Sequence, residues 1–207
     1  NPRVIISRIA KKTYGINIKF FLKGKYMKTI NNFINEKLKI KKNKNKQLDI
    51  ITYLSDVTSC DENSECLLSI IKALKKYDRS KLYLATKLPV WVVESRDHAL
   101  EIFEGQLKKL QTEYIDFYLL HSLDDSKWQK CLDLGLVDMC IELQKQGKIK
   151  YLGFSFHDSY EVFEKIINYR DWDFCQIQFN YMDTDEQAGL KGLKLCEEKG
   201  IPNIIME

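Results

Sequence analysis

Glycine, proline and histidine are scarce in this chain, at 9, 3 and 3 of 207 residues. No Gly-x-Gly-x-x-Gly follows a strand-like run, and no glycine-rich loop ends in Gly-Lys-Ser/Thr. Those absences remove the signatures of a Rossmann dinucleotide site and of a phosphate loop. The six cysteines, at positions 60, 66, 131, 140, 175 and 196, include no Cys-x-x-Cys pair. That argues against a zinc site or other metal centre and against a disulfide framework. Most of them are expected to be reduced and buried, which fits a cytoplasmic protein. No apolar stretch approaches the roughly 20 residues that a bilayer span requires, and no signal-peptide pattern opens the sequence. The first residue is Asn rather than Met, so a longer parent protein is expected.

Charge is present but unevenly spread. The net charge of +4 hides a division: residues 1–50 carry 14 Lys and Arg against 2 Asp and Glu, and the remainder carries 19 against 27. The run KLKIKKNKNK over 37–46 is low-complexity and basic. Without interleaved aromatic residues for stacking it reads as a solvated linker ahead of nucleic-acid or anionic-membrane contact, and nucleic acid is not the expected partner. Residues 1–47 are therefore expected to form a basic N-terminal extension, and residues 48–207 a separate folded region.

From residue 80 onward, short apolar strands alternate with amphipathic helices. Strands are expected over 48–56, 82–86, 114–120, 150–155, 173–180 and 203–206, rich in Tyr, Ile, Leu and Phe. Between them, Leu100, Phe103, Leu107 and Leu110 share one helical face. A second helix is expected from about Trp128 to a stop at Gly147. A third opens on Asp158 and Glu161 in capping-box spacing and carries Val162, Phe163, Ile166 and Ile167 inward. A fourth ends at Lys199-Gly200, before Pro202, and Ser64–Tyr77 reads as a helix upstream. Strands interleaved with helices imply parallel pairing through right-handed crossovers. A doubly wound sheet and a barrel both fit, and the missing Rossmann signature puts the barrel slightly ahead.

Two polar residues close apolar strands: Lys87 in LYLATK and His121 in YLLH. A single lysine at a strand end is ordinarily solvated, and a single histidine ordinarily satisfied. In a parallel array, however, strand C-termini open onto the face where active sites form. A cation and an imidazole delivered there suit carbonyl chemistry: the ammonium lowers a neighbour's pKa and the imidazole hydrogen-bonds an oxygen.

The segments YLATKLPVW (83–91), LKKLQTEYIDFYLLH (107–121), GKIKYLGFSFH (147–157), WDFCQIQFNY (172–181) and IIME (204–207) resemble the aldo/keto reductases. They are closest to the bacterial aldo/keto reductase-like oxidoreductases that usually carry a C-terminal ferredoxin-type iron–sulfur module. A weaker match runs back through residues 63–65 and 72–77. The resemblance implies a (β/α)8 TIM barrel, here incomplete and covering about strands two to seven. It also implies NADP(H) as cofactor, a small-molecule carbonyl as substrate, and reduction by hydride transfer. By this resemblance Lys87 and His121 match the catalytic Lys and His, and Asp56 can stand for the Asp that pairs with the Lys. Ser155 and Gln176 match the residues that hold the nicotinamide carboxamide. Met206 stands where many members stack an aromatic residue on the nicotinamide.

Several positions depart from the family pattern. No Tyr lies between Tyr53 and Tyr77, so the family's proton-donating Tyr has no counterpart, its place falling on Ser59 or Asp61. Phe156 stands where Asn commonly follows the Ser. The sequence given reaches only about the seventh strand and holds no iron–sulfur ligands. Two functions therefore compete. One is an NADPH-dependent carbonyl reductase. The other is a degenerate barrel serving as a binding or scaffold segment beside neighbouring domains of a longer protein.

Overall fold

The computed structural model describes residues 50–53, 71, 75, 78–180 and 182–206. The basic segment 1–47, Asp56 and most of the helix expected over 64–77 lie outside the described residues. Six strands and five α-helices follow in order: β1 (Ile50–Tyr53), β2 (Leu82–Leu88), α1 (Arg96–Leu110), β3 (Ile115–Leu123), α2 (Asp125–Asp133), α3 (Leu136–Lys145), β4 (Ile149–Phe156), α4 (Tyr160–Ile167), β5 (Phe174–Gln178), α5 (Gly189–Glu198) and β6 (Asn203–Met206). The chain divides into two compact units, one over Ile50–Phe154 and one from Ser155 onward.

In the first unit β1 runs parallel to β2, with Ile50 opposite Leu82 and Tyr53 opposite Ala85. β2 runs parallel to β3, with Ala85 opposite Phe117 and Lys87 opposite Leu119. Side chains alternate across the sheet with a period of two. Even-numbered β3 residues turn to the helices: Tyr118 meets Phe103 of α1 edge-on, ring centroids 5.1 Å apart. Odd-numbered residues of β2, β3 and β4 share the other face, where Tyr83 and Tyr151 flank Phe117 at centroid distances of 6.1 and 5.1 Å. In the second unit β5 and β6 are parallel, with Gln176 opposite Ile204 and Gln178 opposite Met206. Cys175 of β5 faces Cys196 of α5 at 3.5 Å between sulfurs, and Phe156 packs against Phe163 of α4. All four described cysteines, Cys131, Cys140, Cys175 and Cys196, are free thiols and buried.

The helices differ from expectation in three places. The buried face of α1 is Ala99, Phe103, Gln106, Leu107 and Leu110, so Gln106 lies inside while Leu100 is only half-buried. The single helix expected from Trp128 is two, separated at Leu134-Gly135. Gly135 takes φ 62°, and its carbonyl opens α3 by accepting from Met139. Apolar periodicity runs on across that break, which hides it from a pattern reading. In α4 the N-cap is Ser159 without a side-chain cap bond, and Val162 is half-exposed. Asp158 instead accepts from the neighbouring Ser159 N–H at 2.7 Å. Among the described residues no helix is long and apolar enough to cross a membrane.

Candidate active site

β2 delivers Lys87 to its C-terminal end. The residue is only 5% exposed, and burial lowers its pKa from 10.5 to about 8. A buried ammonium loses hydration, so the neutral amine is favoured and the proton becomes easier to release. Because Lys87 stands opposite Leu119, His121 is the next β3 residue on the same face, roughly 6–7 Å further along the strand. Both lie toward the C-terminal ends of their strands, although β2 runs on to Leu88 and β3 to Leu123, beyond the ends expected at 86 and 120.

Around His121 the structure adds features with no sequence signal. Ser122 follows it at φ 57°, a left-handed backbone at a non-glycine residue. Such a conformation costs about 1–2 kcal/mol and often marks functional positions. The ring of Trp91 packs on the imidazole at 4.9 Å, tilted by 56°. Trp91 is itself 48% exposed, as is its neighbour Val92 to a similar degree, so an apolar wall stands beside the imidazole. Lys130 of α2 donates to the Trp91 carbonyl at 3.2 Å and ties that loop down. Ser95 begins α1 just beyond by accepting from His98 N–H at 3.1 Å.

Three tyrosines of this unit stand on β2, β3 and β4: Tyr83, Tyr118 and Tyr151. Tyr118 faces the helices, is fully buried, and has no hydrogen-bond partner for its hydroxyl. Burial pushes its pKa well above the ordinary phenol value, with Cys140 adding to the shift. Tyr83 and Tyr151 share the face of Lys87, but both are committed to the ring stack at the N-terminal ends of their strands.

In the second unit, Ser155 is buried near the end of β4 and Gln176 of β5 is 7% exposed. Met206 lies opposite Gln178, on the same face as Gln176 and one pleat beyond it. A buried hydroxyl and a buried amide suit the donors and acceptors of a carboxamide, and a thioether suits the face of a flat ring. The residue set therefore fits the nicotinamide end of NADP(H). Phe156, where the family commonly has Asn, is taken up by the core contact with Phe163. Among the described residues no cluster of three or more His, Cys, Asp or Glu could hold a metal ion.

A probable aldo-keto reductase from Glycine max is 29% identical over 162 residues, covering 73% of this chain and 44% of its own length. A thermostable aldo-keto reductase solved with the inhibitor epalrestat is 26% identical with a TM-score of 0.58, over 74% of this chain and 53% of that one. An aldo-keto reductase from Klebsiella pneumoniae solved with NADPH is 23% identical with a TM-score of 0.56, over 75% of this chain and 51% of that one. This chain thus spans about half the length of the relatives it matches, and its fold is a parallel α/β half-barrel, an incomplete TIM barrel. The model of the aldo/keto reductase family matches residues 59–207, well over half of the chain, and the chain belongs to that family.

Proposed function

We propose that the protein reduces a small carbonyl compound with NADPH, and that Lys87 and His121 carry the chemistry. The observation that supports this most is Lys87 itself. A lysine held out of water at a strand end, with its pKa near 8 and a histidine one pleat away, is costly unless used. When bound, the reduced nicotinamide supplies the hydride to the carbonyl carbon. His121, fixed by the Trp91 ring, hydrogen-bonds the carbonyl oxygen and orients it. As the carbon–oxygen π bond breaks, its electron pair moves to the oxygen. The Lys87 ammonium stabilises that charge and passes it a proton, regaining one from solvent. A pKa near 8 makes this transfer easier at neutral pH than an ordinary lysine would. Asp56 is proposed as the partner of Lys87. Ser155 and Gln176 hold the carboxamide, Met206 lies against the nicotinamide ring, and the Trp91-Val92 wall excludes water from the oxygen.

A degenerate barrel is the second reading, favoured by the absence of any Tyr between Tyr53 and Tyr77. Kinship with the iron–sulfur-carrying branch rests on the sequence segments alone, and a cytoplasmic location on the reduced thiols. The full-length protein should oxidise NADPH in the presence of short aldehydes. His121→Ala should lower kcat/KM by about 10²-fold or more, and Gln176→Ala should weaken NADPH binding by calorimetry several-fold. NADPH binding without turnover on any aldehyde or ketone would favour the scaffold reading.

A further inference from the structure

We propose that Gln106 is a positioning residue for Lys87: its side-chain amide, carried inside α1, fastens the Lys87 carbonyl and sets the direction in which the lysine leaves β2. The inference rests on the catalytic reading of Lys87.

Gln106 is 1% exposed on a helical face otherwise made of Ala99, Phe103, Leu107 and Leu110. An amide in such a face costs free energy unless it is hydrogen-bonded. Its Nε2 donates to the Lys87 carbonyl at 2.8 Å. On its β3 side Lys87 is still paired, opposite Leu119, and the last pair of that ladder is Leu88 opposite Leu120. Leu88 precedes Pro89, and Pro89 accepts from Val92 N–H at 3.1 Å to begin the turn that carries Trp91. Pro89 has no N–H to extend a ladder. Lys87 therefore sits at the junction between sheet and turn, and Gln106 ties that junction to α1.

The tie has leverage because a lysine stem is long. A small rotation of the Lys87 backbone swings its ammonium through a larger arc, and a misplacement of about 1 Å can cost on the order of 10²-fold in rate. The carbonyl bond thus acts on the reacting group without touching it.

The test uses the full-length protein and Gln106→Met, which keeps the length of the side chain and removes the donor. Acetic anhydride labelling of Lys87, read by mass spectrometry against the exposed Lys145, is expected to rise several-fold in the variant. kcat for carbonyl-dependent NADPH oxidation is expected to fall roughly tenfold, with the KM for NADPH within about twofold. Unchanged Lys87 labelling overturns the proposal whatever the activity does. Increased labelling in a protein whose native form reduces no carbonyl upholds the positioning and rejects the catalytic reading instead. If Gln106→Met does not fold, Gln106→Glu keeps the shape. Its neutral acid can donate and its carboxylate cannot. The Lys87 to Lys145 labelling ratio, relative to the native protein, should then rise between about pH 6 and pH 9 for a buried acid. A flat relative ratio overturns the proposal.

Discussion

At the start of β3 Asp116 is buried and its carboxylate is fully engaged; near the other end His121 and Ser122 are half-buried beside an exposed tryptophan. Asp116 accepts from Arg79 at 2.8 Å, from Lys150 at 2.9 Å and from the Leu84 N–H at 2.9 Å, at 0% exposure. Both cations also lie over the Tyr114 ring, at 3.9 and 4.0 Å from its centroid. Arg79 further binds the Tyr114 carbonyl and the Thr112 hydroxyl, each at 2.8 Å. Both carboxylate oxygens of Asp116 have partners, and the network joins the entrances of β2, β3 and β4. Six residues further along β3 comes the left-handed Ser122, and the neighbouring β2 carries the desolvated Lys87. In a parallel barrel the N-terminal ends are free to serve stability, while the C-terminal ends bear the chemistry. Asp116 stands toward the first of those ends on β3 and His121 toward the second.

Asp116→Ala tests the first half of that division and should have the largest effect on stability. It leaves the buried Leu84 N–H without its acceptor and releases two cations, so urea unfolding should show a loss of about 3 kcal/mol. Turnover of the folded fraction should stay near native. A loss under about 1 kcal/mol would show that the network is ornamental.

Lys87→Met should behave in the opposite way. The folded lysine has a pKa of about 8 against 10.5 when unfolded. Between those values the unfolded chain binds more protons, so native stability rises with pH across that window. Below pH 8 the buried charge is a burden of up to about 3 kcal/mol, the 1.36 kcal/mol per pKa unit taken over the shift. Lys87→Met lacks this titration. At pH 7 it should be as stable as the native protein or more so, and the native protein should gain on it between pH 8 and 10.5. Thermal unfolding of both proteins across pH 7–10 checks this, and parallel curves would contradict it.

The smallest effect is expected at Ser122. Glycine tolerates φ 57° without the side-chain clash, although it also loosens the unfolded chain. Ser122→Gly should therefore raise stability by no more than about 1 kcal/mol, measured by urea titration. A clear loss would mean that the serine side chain holds the turn.

The strands were legible because each is a short apolar run between turn residues, and Lys87 and His121 were legible as polar residues closing such runs. Asp116 was hidden for the same reason: an acid inside the run Ile115–Leu123 gives no hint that Arg79 and Lys150 converge on it. Gln106 was hidden because an amide on a helix reads as surface, and only the tertiary contact with β2 explains its burial. The break at Gly135 did have a signal in the glycine, but apolar residues on both sides kept the helical period. Trp91 could be read as part of a motif, not as the ring on His121, because that contact joins residues 30 apart in sequence. Backbone strain at Ser122 leaves no trace in composition.

The central proposal is that the C-terminal ends of β2 and β3 are the reacting end of the protein. The most direct measurement is kcat/KM for NADPH-dependent aldehyde reduction by full-length Lys87→Met, taken on protein whose Tm at pH 7 has been recorded. The account predicts a fall of about 10²-fold or more with Tm unchanged or raised. A Lys87→Met protein that reduces aldehydes at the native rate would contradict it.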